Sequence, residues 1–302
     1  MWLVCSILAA LVWGIADIFY KKGSVIDEKY SHLKVCIFVG LVMGIHAAFV
    51  LLTQNIGYDP INLVMYFPVS FCYFLSMVLT FFGIKFIEDS VASPVENSSG
   101  AMCAILCFVF LHQTMGWLSF VGVVFVTIGV ILLGVFQAKG VSENTKKVGK
   151  KLAIIGFTMA VLYSILDATG ELLDAYFLDI ATTPLRNVTE ETIELVANTS
   201  YEIMFFIIGV IFTIFIYLRK EKVNWLSQKD KALAGVFETG GQLLYVYAMS
   251  GNAIIAAPII SSVCVVSVIL ARIFLKEKLT KKQYAAICSV VIGILIIAIA
   301  EA

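Results

Sequence analysis

Long apolar runs succeed one another from the first residues of this chain to the last, and they leave few folds open. They lie at about 2–20, 33–54, 61–84, 91–111, 117–137, 152–176, 203–218, 232–250, 253–274 and 283–300. Each is about 16–25 residues long, and a helix rising ~1.5 Å per residue needs about twenty to cross ~30 Å of hydrocarbon. The runs are continuously apolar rather than alternating, which predicts helices and not barrel strands. The expected fold is therefore an all-α integral membrane protein with about ten transmembrane helices. Gly251-Asn252 is the weakest joint, between spans eight and nine, and Pro258 interrupts the ninth.

Composition excludes the soluble alternative. Of 302 residues, 61% are hydrophobic and 14% charged, against about 25% charged in soluble domains, and no soluble core absorbs that much apolar sequence. A net charge of zero argues against nucleic acid as a partner. The partners expected are the lipid bilayer and a small-molecule substrate. The seven cysteines all lie inside apolar runs, with no CxxC pair and no Cys/His cluster, so they are expected to pack as small hydrophobes, and neither cofactor nor metal centre is expected. The opening MWLVCSILAALVWGIADIFYKK lacks a positive n-region and an A-x-A-like cleavage site, and reads as a retained first span.

Charge is placed as a membrane topology requires. Of 21 Lys and Arg residues, only Arg186 falls in an even-numbered connection. The others gather at Lys21–Lys34, Lys85, Lys139–Lys151, Arg219–Lys231 and Arg272–Lys282. By the positive-inside rule the odd connections face the cytoplasm and both termini face out of the cell membrane. The even connection at about 177–202 carries Asp179, Glu190, Glu191 and Glu194, and two N-x-[ST] sequons at Asn187 and Asn198. An exterior loop of a eukaryotic protein would offer these as glycan acceptors.

The two halves resemble each other. Ala10-Leu11-Val12-Trp13 leads to Asp17 as Ala160-Val161-Leu162-Tyr163 leads to Asp167. SVASPVENSS around Pro94 matches AIIAAPIISS around Pro258, and VGVVFVTIGVILL matches YAAICSVVIGILI. Five spans per half is an odd number, so the second half lies inverted, which is the architecture of transporters that rock one half against the other around a central site. The repeats are expected at 1–140 and 150–302, as one transport unit.

On Trp13-Gly14, Pro94 and Pro258, and the tail Phe274-Leu275-Lys276-Glu277-Lys278-Leu279-Thr280 before a Gly-containing last helix, the chain resembles the EamA-type transporters of the drug/metabolite transporter superfamily. The resemblance covers essentially the whole chain. It implies ten helices, with a central cavity lined by the first four of each half and the fifth of each outside that ring. Lys276 stands where the family has Gly, and Gln113 where the first half would carry Glu. Many relatives place their termini in the cytoplasm, whereas these charges say the opposite, which leaves transport direction open.

Ionisable groups inside spans are costly and are functional candidates by default. Those found here are Asp17, Glu96, Asp167, Glu171 and Glu238. Asp17, Glu96 and Glu238 fall toward the inner side, Asp167 and Glu171 toward the outer, and Asp17/Asp167 form a mirrored pair. They are expected to bind substrate or protons, and beside Trp13, Tyr163 and Tyr247 they would attract organic cations. Pro94 and Pro258 are expected to act as helix breaks or hinges. Structural roles compete: Asp17 pairing with Lys21, Glu238 with Arg272, Asp174 solvated, and His46 simply packing.

The function expected is secondary active transport of a small polar organic metabolite, cationic in one version, by alternating access with proton coupling. A divalent-cation carrier is the alternative within transport, since clustered carboxylates suit Mg²⁺. A receptor, a scaffold or an intramembrane enzyme is the alternative outside it, although no HExxH, phosphate loop or Ser/His/Asp set occurs. Gly122, Gly129 and Gly134 permit close helix contact, for which a homodimer is one use.

Overall fold

The computed structural model describes residues 1–23, 28, 30–83, 86, 95–138, 150–221, 228–274 and 279–301. Pro94, Lys85, the stretches 139–149 and 222–227, and Lys276 to Lys278 lie outside the described residues, as does the Lys21 side chain. The described secondary structure is entirely helical. It comprises α1 (Trp2–Gly23), α2 (Ser31–Thr53), α3 (Ile61–Met65), α4 (Phe67–Gly83), α5 (Ser99–Phe110), α6 (Trp117–Ala138) and α7 (Lys150–Phe177). It continues with α8 (Ile193–Leu218), α9 (Lys229–Ile260), α10 (Val263–Phe274) and α11 (Lys281–Ala300).

Seven of these helices are long and apolar enough to cross a membrane, and Phe67–Thr80 and Ser99–Phe110 are shorter apolar helices. Large apolar side chains such as Ile45, Phe49, Phe108, Ile211 and Ile299 point outward, whereas Glu171, Asp174, Asn198 and Glu202 are buried. A surface of hydrocarbon around a partly polar interior is the arrangement lipid demands. The chain is a multi-pass membrane protein.

Local chemistry explains where helices stop. The third expected span, 61–84, is broken at Tyr66, because Pro68 two residues on has no N–H to donate back along the turn. Val95 and Glu96 are helical, and the helix breaks at Asn97-Ser98 before α5. α9 is interrupted at Asn252, whose backbone is extended (φ −167°, ψ 79°), so the joint expected at Gly251-Asn252 is real. The chain then runs helically through Pro258 and breaks at Ser261-Ser262 before α10. Thr280 and Gln283 close a capping box at the start of α11, satisfying otherwise unpaired N–H groups.

One expected boundary needs correction. The seventh span was expected at 203–218, but α8 begins at Ile193. Asn198, Thr199, Ser200 and Glu202 are buried inside the protein rather than lying in an aqueous loop, so the sixth connection shortens to 178–192. Asn198 is thereby withdrawn as a glycan acceptor, since its side chain is enclosed and hydrogen bonded to Glu202.

Helices pack chiefly in pairs: α1 along α9, α4 along α7, α2 along α8, and α6 along α11. α5 crosses both α7 and α9. A Cβ at Gly122 would lie 2.8 Å from the Gly293 carbonyl oxygen, and one at Gly293 2.6 Å from that of Gly122. These glycines therefore serve close contact between α6 and α11 of the same chain.

Candidate functional site

Asp167, Glu171 and Asp174 recur at four- and three-residue intervals along α7 and so share a face. Asp174 is fully buried. Tyr66 donates to its Oδ1 and Tyr73 donates to its Oδ2 at 2.9 Å, while the Tyr73 and Tyr245 hydroxyls are 2.5 Å apart. The expectation that Asp174 is solvated is thus corrected: the residue is enclosed. Packing of α4 and α9 against α7 removes water, and tyrosine hydroxyls supply the hydrogen bonds that burial requires.

Glu171, one turn closer to Asp167, is 5% exposed, and its Oε2 has no hydrogen-bond partner among the described residues. Cys103 of α5 lies beside it. Asp167 has Ser99 and Tyr163 as hydrogen-bonding neighbours. Aromatic rings enclose this region: Trp13 and Tyr245 are 5.4 Å apart between centroids, Tyr73 and Tyr245 6.1 Å, and Tyr73 and Tyr201 5.9 Å.

The other expected acids are also placed. Glu238 accepts from the Tyr20 hydroxyl at 3.1 Å, and its carbonyl oxygen accepts from the Trp13 indole at 3.2 Å. Arg272 is exposed, so the anticipated Glu238–Arg272 pair gives way to a phenol donor that needs no second buried charge. Asp17 accepts from Ser267 of α10 at 2.5 Å. Glu96 accepts from Thr80 of α4, and Ser98 meets Ser164 of α7 at 3.0 Å. Tyr247 stands apart from this cluster, toward Glu194 and Cys5. Two residues along a helix turn the side chain by about 200°, and it is Tyr245 that faces the carboxylates.

A cavity of about 480 Å³ opens at the end of the bundle where the even connections lie. Asp179, Glu190 and Glu194 line it, with Gln113 and Asn252. Ala175 and Met249 also line it, and they follow Asp174 and Tyr245 by one residue and about one turn. The tyrosine–aspartate cluster therefore lies next to the cavity wall.

At the opposite end, Glu28 bridges two helices. Lys34 of α2 donates to Oε1 and Lys231 of α9 to Oε2, each at 2.7 Å, and Gln228 donates to Oε1 at 3.0 Å. Both lysines are almost wholly buried. Partial burial pushes the Glu28 carboxyl upward, but the hydrogen bonds and charge of Lys231 and Lys34 outweigh it and hold the group below the usual carboxylate range.

Sequence reasoning passed over one further group. His46 Nδ1 of α2 lies 2.8 Å from both carboxylate oxygens of Glu202, and Asn198 donates to Oε1 at 2.9 Å. Glu202 was placed outside the seventh span by one residue, and His46 was assigned to packing. The run of Asn198, Thr199, Ser200 and Glu202 before an apolar stretch was the signal available.

The sequence matches the EamA-like transporter family over residues 1–135 and 190–299. The chain belongs to the EamA-like transporter family. No curated protein matches it in sequence. Among solved structures, one crystal structure superposes with a TM-score of 0.70 at 13% identity, covering 99% of this chain and 97% of that one; this likeness is one of fold. The EamA match leaves out 136–189, and with it α7 and its three acids. Membership in this transporter family is thus carried by the other helices, and the carboxylates of α7 are read on this chain's own geometry. Among the described residues, no three His, Cys, Asp or Glu side chains converge as a metal site.

Proposed function

We propose that this EamA-like transporter is a secondary active carrier of a small polar organic metabolite bearing positive charge. It works by alternating access between two inverted five-helix halves, 1–140 and 150–302, with proton coupling. The observation that carries the substrate class is Glu171: a buried carboxylate with one oxygen that has no partner among the described residues. It has Tyr73 and Tyr245 within electrostatic reach, and an acidic cavity lies nearby. A carboxylate held from water calls for a counter-charge, and aromatic faces beside it favour an organic cation over a strongly hydrated metal ion.

Two features support the inverted repeat. Exchanging the halves maps the helix pairs onto themselves: α1 on α9 corresponds to α7 on α4, while α2 on α8 and α6 on α11 each map to themselves. The helix interruptions at Asn97-Ser98 and Ser261-Ser262 each follow the aligned prolines, Pro94 and Pro258, by three and four residues. Gly100 N–H donates to Ser261 Oγ at 3.1 Å, so the two interrupted segments meet.

In this reading the protein sits in the cell membrane, with the odd connections cytoplasmic and both termini outside, on the strength of the lysine distribution. Cysteines placed singly at Thr192 and Ser142 in a cysteine-free background should be labelled from outside intact cells at the first position only. The opposite pattern would reverse the orientation.

The substrate class is tested by ligand stabilisation in lipid nanodiscs. Choline, tetraethylammonium and putrescine should raise the melting temperature of the parent and not of Glu171→Gln. Stabilisation at one hundred times Kd is about 2.7 kcal/mol, enough to see. Stabilisation by glucose or aspartate alone, or an unchanged response in Glu171→Gln, would refute the assignment.

A further inference from the structure

The polar contact between α2 and α8 does not belong to the carboxylate cluster on α7, and the cation site makes no use of it. Glu202 is 0% exposed, while the His46 side chain is 27% exposed, so one member is sealed and the other is open at its edge. A single imidazole nitrogen equidistant from two carboxylate oxygens, at 2.8 Å each, is the geometry of one proton held between the partners. Asn198 is the second donor to Glu202. The Asn198 Oδ1 and Thr199 Oγ1 atoms beside it are buried without partners among the described residues, so this pocket has polar groups left over.

We propose that the His46–Glu202 pair is the site where the coupling proton binds and leaves, a role that rests on the transport reading above. With one proton beyond that of the neutral imidazole the pair is neutral overall. Without it the pair carries a net negative charge, met only by the hydrogen bonds of one imidazole N–H and the Asn198 amide, which is costly at membrane depth. His46 is seven residues from the end of α2 at Thr53, about 10 Å at ~1.5 Å per residue, so the proton sits within the membrane and not at its surface.

The location couples the proton to conformation. α2 comes from the first half of the chain and α8 from the second, and they approach so closely that a Cβ on Gly40 would run into the Phe205 carbonyl. Any motion of one half against the other that parts α2 from α8 separates His46 from Glu202. Release of the proton would then leave the carboxylate bare, so occupancy and helix contact favour each other.

Neighbouring titratable groups do not supply an alternative partner. Tyr201 adjoins Glu202 on α8 and packs edge-on to Tyr73 of α4. Tyr58, from the α2–α3 connection, bonds Ser200. Glu238 of α9, with Asp167 and Asp174 of α7, reaches Tyr201, while the charge that acts on Glu202 is His46. Tyr201 is therefore within electrostatic reach of both Glu202 and the carboxylates of α7 and α9.

Two measurements test this without knowledge of the substrate. The chain has three histidines, so ¹³C-histidine spectra in nanodiscs give signals assignable with His46→Gln. Because His46 is bonded to Glu202, Glu202→Gln should shift the His46 signal and leave those of His32 and His112 in place. The second is the modification rate of Met249→Cys in a cysteine-free background, divided by that of exposed Thr114→Cys to cancel thiol ionisation. Between pH 5.5 and 8.5 this ratio should change about threefold or more, lose that change in both His46→Gln and Glu202→Gln, and keep it in the peripheral control Glu301→Gln.

A His46 signal that Glu202→Gln leaves unmoved, a pH-invariant ratio in the parent, or a dependence that persists in both variants would overturn the proposal. The choline response reads the cation site separately. Its absence in the parent would sink the substrate reading while leaving the proton measurements intact.

Discussion

At the residue scale the interior is governed by how each carboxylate is satisfied. Asp174 has tyrosine donors on both oxygens, Glu238 has a phenol, Asp17 and Glu96 have hydroxyls, and Glu202 has an imidazole and an amide. Glu171 alone among these retains a buried oxygen with no described partner, which is why it carries the substrate assignment. Removing one donor from Asp174 should be felt as stability. Tyr66→Phe, which keeps the ring against Phe177, is expected to cost about 1–3 kcal/mol in thermal or denaturant unfolding in detergent. An unchanged melting temperature would mean that the hydroxyl does not hold the aspartate. The acids of α7 were legible in the sequence because charge in an apolar run stands out. Their tyrosine partners were not: Tyr66, Tyr73 and Tyr245 come from distant segments, and no spacing rule on one helix shows which aromatic residues turn inward.

At the scale of elements, span positions were largely readable from hydrophobicity, and the errors have a common cause. The start of α8 was missed because Asn198, Thr199, Ser200 and Glu202 look like a loop until α2 covers them. The break before α4 follows from Pro68, which a hydropathy average passes over. Glu28 belongs to this scale, because one carboxylate ties the starts of α2 and α9 together through Lys34 and Lys231. Glu28→Gln leaves both lysines without their counter-charge and should lower stability by about 1 kcal/mol, toward the small end because the site borders water. Since the folded Glu28 carboxyl is held below the ordinary range, its contribution is complete above the unfolded value of about 4.3 and is lost as pH falls through the folded value. Melting temperatures compared at pH 7 and in steps below pH 4.5 should therefore show Glu28→Gln losing less on acidification than the parent. Equal losses would remove Glu28 from the account.

At the scale of the whole molecule, membership in the EamA-like family and a helical bundle with an apolar exterior make this chain a membrane transporter. The motifs paired in sequence suggest two halves, and the proposed inverted repeat is one that the pairwise helix packing supports. A cavity at one end and a lysine–glutamate bridge at the other suit the proposed carrier, with its proposed proton pair between α2 and α8. The proposed transport is movement of an organic cation past Glu171. The most direct measurement is uptake of radiolabelled choline, tetraethylammonium and putrescine into proteoliposomes holding an opposing proton gradient, with the parent and Glu171→Gln side by side. The parent should accumulate at least one of these cations saturably and lose accumulation when the gradient is collapsed, with Glu171→Gln slower by about tenfold or more, ~1.4 kcal/mol or more in the barrier. Uptake of none of the three while glucose or aspartate is carried, or equal cation uptake by Glu171→Gln, would contradict it.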